Sequence, residues 1–144
     1  MAMKTAKLSA SLEDYLEVIF HVANDKGAAR ARDIGARLRV APPSVTAALK
    51  LLADKDLINY VPYDVITLTA QGHRVVSDVI HRHEALRDFL TNVLDVSADQ
   101  AEPAACKMEH AVPTDIIERL INFTGKVRKC PYKNCHLRDI ENIK

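Results

Sequence analysis

Three groups of side chains in the sequence carry the chemistry of metal ligands. Glu102, Cys106, Glu109 and His110 fall at offsets 0, 4, 7 and 8, a spacing that projects all four from one face of a helix. Asp14 and Glu17, three residues apart, are helical neighbours in the same way, and His83 interrupts an otherwise apolar stripe. Carboxylate, imidazole and thiolate together form a donor mixture that divalent first-row metal ions accept. Each residue also has an ordinary structural use. Asp14 and Glu17 suit the positive end of a helix, Glu102 a solvated surface, Cys106 a small core position and His83 a hydrogen-bonded buried site. An Asp-x-x-Glu pair, a His-Glu pair and a Glu-x-x-x-Cys-x-x-Glu-His run in one chain are less readily explained that way.

A second chemistry is available in the segment Ala41-Pro-Pro-Ser-Val-Thr-Ala-Ala-Leu-Lys50. Proline is tolerated in the first turn of a helix, so Pro42 and Pro43 can open one. Small hydroxylated residues at such a start permit close approach to DNA: Ser44 and Thr46 can bond phosphates or base edges, and Pro42 or Pro43 can touch a thymine methyl. Between Lys26 and Lys50 the bases Lys26, Arg30, Arg32, Arg37, Arg39 and Lys50 face one acid, Asp33, a local excess of 6 − 1 = +5. The whole chain carries only 20 − 19 = +1. A basic patch attracts phosphate, although charge runs are more often solvated surface, and on this segment alone an ordinary helix start is equally open. The candidate DNA contacts are Arg32, Pro42, Pro43, Ser44, Thr46 and Lys50.

These residues need elements to hold them. Leu12, Tyr15, Leu16, Ile19, Val22 and Ala23 recur at helical spacing after Ser11, an expected N-cap, up to a break at Asn24 to Gly27. A short helix fits Ala31 to Leu38, and a third begins at Pro42-Pro43 and runs to about Lys55, a helix-turn-helix arrangement. Leu57 to Val61 and Val65 to Leu68 are β-prone runs around Pro62, Tyr63 and Asp64, which reads as a small hairpin. Three helices and a hairpin are the order of a winged helix. Thr69 can cap a long fourth helix whose stripe Val75/Val76, Val79, His83, Leu86, Leu90 and Val93 persists to about Leu94. Ser97 and Gln100 have capping-box spacing for a fifth helix to about Ala111. A sixth follows Pro113 with Ile116, Ile117, Leu120 and Ile121 on one side, and after Gly125 the tail turns basic and irregular. The halves are expected to divide at residues 1–75 and 76–144, packed closely.

The 144 residues, 48% hydrophobic and 27% charged, match a soluble globular chain and exclude disordered and fibrous classes. No apolar run approaches the roughly 18 residues of a membrane span, and residues 1–20 carry charges where a signal peptide is apolar, so a cytoplasmic protein with no membrane partner is expected. Cys106, Cys130 and Cys135 are too few and odd in number for a disulfide scaffold. Cys130, Cys135 and His136 offer a weakly signalled second metal site, against the simpler reading of a tail with incidental thiols.

The motifs Ser-Leu-Glu-Asp14-Tyr-Leu-Glu17, Pro-Pro-Ser-Val-Thr, Leu-Thr-Ala-Gln-Gly72, Arg-His83-Glu-Ala-Leu and Cys106-Lys-Met-Glu109-His110 resemble the DtxR/MntR family of metal-dependent transcriptional repressors, in order over nearly the whole chain. The resemblance implies a mainly α fold: an N-terminal winged helix-turn-helix with a small β-hairpin wing, then an all-helical dimerisation domain. It implies a homodimer on palindromic operator DNA with Fe(II) or Mn(II) as corepressor, and nothing here corresponds to the third domain of longer relatives. Asp14, Glu17, His83, Cys106, Glu109 and His110 match ligand positions of the family. Asp at the first of these follows manganese-type members and Cys at the fourth follows iron-type members, a hybrid. The thiolate leans the set toward Fe(II), while the carboxylates pull back toward harder ions. Glu102 stands where iron-type members have an ancillary histidine, and Arg87 replaces an acidic ancillary ligand.

The expected mechanism is a metal sensor controlling metal-uptake genes. Ligands from helices one, four and five would let metal favour one arrangement of the DNA-binding helices, spaced about 34 Å or a multiple in the dimer. The alternative is a winged-helix factor answering a small molecule or a redox signal at Cys106, with a structural polar cluster. An enzyme is not expected, because the chain has no HExxH motif and no nucleophile with an orienting base.

Overall fold

In the computed structural model, residues 7–129 are described; Cys130, Cys135 and His136 lie outside them. The order is α1 (Ala10–Lys26), α2 (Ala31–Leu38), α3 (Pro42–Asp54), β1 (Ile58–Asn59), β2 (Thr67–Leu68), α4 (Ala70–Asn92), α5 (Ala98–Met108) and α6 (Thr114–Arg128). Two compact units divide within α4, between Ile80 and His81.

The first unit is built on local signals. Ser9, not Ser11, caps α1: its Oγ accepts the Leu12 N–H at 3.3 Å, so the helix starts earlier than the apolar stripe does. It ends at Gly27, whose φ of 77° lies in the left-handed region that glycine enters without strain. The turn between α2 and α3 passes through Arg39 at φ 57°, and Pro42 and Pro43 open α3 as the sequence suggests. Leu16, Ile19, Ile34, Leu49, Leu52 and Ile66 are fully enclosed and form one core with Val76 of α4. The hairpin is shorter than its β-prone runs. Only Ile58↔Leu68 and Asn59↔Thr67 pair, while Ala29 bridges Ile66 and adds a third edge contact. Between the strands, the Asp64 N–H reaches the Val61 carbonyl at 3.1 Å, Asp64 Oδ1 accepts from the Val65 N–H at 2.7 Å, and Tyr63 sits at φ 66°, fully exposed.

The start of α4 is held against the wing by a close backbone approach. Thr69 Oγ1 accepts from the Gly72 N–H at 3.0 Å and donates to the Asp56 carbonyl, and the Thr69 N–H bonds the Leu57 carbonyl at 3.1 Å. A Cβ on Gly72 would fall 1.9 Å from that same Leu57 oxygen. Only glycine lets the two backbones meet there.

In the second unit Ala85, Leu86, Leu90, Ala101, Ala105 and Ile117 form a separate core. Ala101 and Ala105 of α5 share it with Ala85, Leu86 and Leu90 of α4. Ser97 N-caps α5 by position, yet its Oγ bonds the Gln100 side chain at 3.4 Å and no cap bond to backbone forms, so the expected capping box is not made. Helix α5 also ends at Met108, short of Ala111, with Glu109 as C-cap. Gly125 does not end α6, which continues to Arg128. Of its apolar residues Ile117 is enclosed, whereas Ile116 is 45% exposed and Phe123 42%.

Candidate metal centre and nucleic-acid interface

The second unit assembles a polar cluster within its apolar surroundings. His83 leaves α4 at the buried position its stripe dictates, and its ring meets carboxylates on both sides: Nδ1 lies 2.6 Å from Glu109 Oε2 and Nε2 lies 2.7 Å from Glu102 Oε1. Glu109 is fully enclosed, His83 is 7% exposed, and Glu102 and Cys106 are exposed. Donor atoms of His83, Cys106 and Glu109 all lie within 4.8 Å of one another. Donors sharing one ion through bonds of about 2.0–2.3 Å stand roughly 3–4.5 Å apart, so small side-chain movements bring these three to a common ion. An enclosed carboxylate, an imidazole and a thiolate suit a divalent first-row metal in donor chemistry as well. Glu102 also meets Arg87, Nη1 to Oε2 at 3.7 Å, and His110 Nε2 lies 3.4 Å from Glu109 Oε1.

Burial alone would lower the pKa of His83. The hydrogen bond it donates to Glu102 and the negative charge of Glu109 outweigh it and hold the imidazole above its ordinary value. The two carboxylates thus favour the protonated ring, and a metal ion at His83 competes with that proton.

Asp14 and Glu17 are half-buried on α1 of the first unit; Glu17 Oε1 lies 3.6 Å from His21 Nε2, one turn on. Sequence reasoning missed Arg82. It is buried, and its Nη1 donates to the Glu109 carbonyl at 2.8 Å. An arginine beside the histidine in an apolar stripe was the available signal, since long cations are rarely enclosed without a partner.

On the first unit, a concavity of about 640 Å³ lies between α2, α3 and the wing. Val40, Val45 and Gly35 are among its lining, together with Arg30, Arg32, Lys50, Tyr60 and Tyr63. Of the sequence candidates, Arg32, Pro42, Thr46 and Lys50 line it, and Pro43 and Ser44 are exposed at the start of α3. Thr46 Oγ1 donates to the Pro42 carbonyl at 3.2 Å, which leaves its lone pairs as the groups open to a partner. The basic stretch is sorted rather than uniform: Lys26 is tied to Asp33 at 2.6 Å and Arg37 to Asp25 at 2.8 Å. Arg30, Tyr60 and Tyr63 also line it, beyond the candidate DNA contacts read from the sequence.

Two family models cover the chain: "Iron dependent repressor, N-terminal DNA binding domain" over residues 7–66 and "Iron dependent repressor, metal binding and dimerisation domain" over residues 69–138. The chain belongs to the DtxR/MntR family of metal-dependent repressors. An HTH-type transcriptional regulator MntR of Shouchella clausii is 36% identical over 131 residues, 91% of each chain. An uncharacterized HTH-type transcriptional regulator of Methanocaldococcus jannaschii is 33% identical over 122 residues, 84% of this chain and 98% of the relative. Among solved structures, that of the manganese regulator SloR superposes with a TM-score of 0.69 at 28% identity over 79% of this chain, which spans 53% of SloR. The winged helix followed by a helical domain is the DtxR/MntR architecture, and the family comprises DNA-binding regulators rather than enzymes.

Proposed function

We propose that the chain is a metal-responsive transcriptional repressor that binds operator DNA as a homodimer when loaded with Fe(II) or Mn(II), and so controls metal-homeostasis genes in the cytoplasm. The observation that carries the reading is the His83–Cys106–Glu109 cluster, in the region that matches the family's metal-binding and dimerisation model. The proposed division is a DNA-binding domain over residues 1–75 and a helical dimerisation and metal-binding domain over 76–144. Among the described residues, no helix is long and apolar enough to cross a membrane.

An ion held by this set supplies concentrated positive charge and a fixed coordination preference. His83 would ligate it through one ring nitrogen, with the other hydrogen-bonded to a carboxylate that orients the ring. Glu109 brings an enclosed carboxylate, and Cys106 a thiolate that leans the choice toward iron over manganese. Asp14, Glu17, Glu102 and His110 enter the ligand set through the family resemblance. By linkage, any factor by which metal raises DNA affinity is the factor by which DNA raises metal affinity.

On the DNA side, the concavity's cations Arg30, Arg32 and Lys50 neutralise phosphates, and Pro42, Pro43, Ser44 and Thr46 bring the start of α3 to the base edges. Dimerisation uses the Ile116 and Phe123 face of α6, whose two exposed apolar side chains lie seven residues apart.

The test is retention of genomic DNA fragments by chelator-stripped protein, run anaerobically without metal and with Fe(II), Mn(II) or Zn(II). Fragments beside metal-uptake genes should be retained only with metal, and Glu109→Ala should lose that retention. Equal binding by Glu109→Ala at every metal level would overturn the proposal.

A further inference from the structure

Arg82 and His83 are adjacent in α4, and both reach Glu109. Arg82 Nη1 donates to the Glu109 carbonyl at 2.8 Å, and His83 Nδ1 lies 2.6 Å from the Glu109 carboxylate. Glu109 is the C-cap of α5, its own N–H bonded to the Ala105 carbonyl. The carbonyls at a helix C-terminus lack intrahelical donors and form its negative end. A guanidinium placed there satisfies an acceptor and sets positive charge where the helix favours it. Burying such a long cation is costly without compensation, and the Glu109 carbonyl supplies it an acceptor. The two grips act on different parts of one residue: one holds its backbone, the other its side chain. Together they set where the last turn of α5 lies along α4 and which way Glu109 points.

We propose that Arg82 is a positioning residue for the metal centre. It anchors the C-terminal turn of α5 to α4, so that Glu109, and His110 after it, are already set against His83 before an ion binds. The inference rests on the metal-site reading of the preceding subsection. Ligands held in place bind with less ordering cost, and loss of an outer partner that orients ligands typically weakens metal binding about 10–100-fold.

The test uses the full chain, with Co(II) as probe because its absorption reports both thiolate ligation and coordination geometry. The parent, Arg82→Met, Arg82→Lys and Ile117→Val are compared by chelator competition, by their Co(II) spectra and by melting of the metal-free protein. Ile117→Val trims the same unit's core without touching the cluster, so it should lower the melting temperature and leave the spectrum as in the parent. Arg82→Met should weaken Co(II) binding by about 10–100-fold and change the spectrum. Arg82→Lys, which keeps the charge but not the fork, should fall between. If Arg82→Met does not fold, Arg82→Lys against Ile117→Val decides by the same two readouts. Parent-like affinity and spectrum in a folded Arg82 variant would overturn the positioning role and leave the metal site standing. A parent that binds no Co(II) with thiolate absorption would overturn the metal-site reading itself, and this inference with it.

Discussion

Replacing Lys50 or Arg30 by alanine should lower the salt sensitivity of DNA binding, while replacing Lys26 or Arg37 should leave it nearly unchanged. The expectation follows from how the fold disposes of the basic stretch. Lys26 and Arg37 are tied to Asp33 and Asp25 at 2.6 and 2.8 Å, whereas Arg30, Arg32 and Lys50 line the concavity beside α3 and the wing. Each phosphate neutralised contributes roughly 0.9 to the slope of log K against log salt, by release of condensed counterions. Three cations per subunit thus account for a slope of about 2.7, or about 5.4 for a dimer. Removing Lys50 from both subunits should lower the slope by about 1.8, and reduce the loss of affinity between about 50 and 200 mM salt by roughly 12-fold. Removing Lys26 releases Asp33, whose carboxyl is held below its usual range chiefly by the Lys26 hydrogen bond. That weakens affinity somewhat without changing the number of counterions released. The assay is fluorescence anisotropy of a labelled random-sequence duplex titrated across salt at saturating metal, so it needs no knowledge of the operator. Equal slope changes for Lys26→Ala and Lys50→Ala would refute the sorting of the patch into paired and phosphate-facing cations.

Three further outcomes are expected. Apparent metal affinity should rise with pH as protons on His83, whose pKa is raised, and on the Cys106 thiol are displaced, by up to tenfold per unit for each proton. In the metal-free protein the sign is opposite: the stabilisation from protonated His83 is complete below about pH 6.5 and is lost as pH rises through the folded value. Chelator competition and melting of the metal-free protein over about pH 5.5–8.5 check both, and a pH-independent affinity would contradict the proton count. Gly72→Ala should destabilise the first unit by about 1–3 kcal/mol or more, because its Cβ would lie 1.9 Å from the Leu57 oxygen and backbone must move; an unchanged melting temperature would contradict the close approach. Phe123→Ala should weaken self-association by about 2 kcal/mol, roughly 30-fold in the dimer dissociation constant, read by sedimentation equilibrium, and an unaltered constant would remove Phe123 from the dimer face.

Much of the architecture was legible because it rests on short-range rules. Helix α2 spans Ala31–Leu38 where a short helix is expected, Pro42-Pro43 open α3, and the stripe of α4 is buried at Val76, Val79, Leu86 and Leu90 with His83 among them. The metal-type residues were legible for the same reason, since offsets of 4 and 3 along one helix put Glu102, Cys106 and Glu109 on one side whatever surrounds them. Where local rules compete, the sequence misled. Ser9 and Ser11 are both acceptable caps and only Ser9 is used. Ser97 and Gln100 have the right spacing but bond each other's side chains. Gly125 is a possible stop that α6 runs through, because a single glycine costs only about 1 kcal/mol inside a helix.

By itself, then, the sequence determined the residue types available for metal and DNA chemistry, the elements that carry them, and the family motifs they spell in order. Tertiary structure decided which of those groups meet. Asp33 takes Lys26 across seven residues and Asp25 takes Arg37 across twelve; of the four cations left, Arg30, Arg32 and Lys50 line the concavity and Arg39 does not. His83 finds Glu109 across 26 residues, and Arg82 finds the same residue's carbonyl across 27. Hydrogen bonds and ion pairs act over about 3–4 Å, so partners so far apart in the chain are chosen only when the packing of α4 against α5, or of α1 against α2, has already brought them within reach.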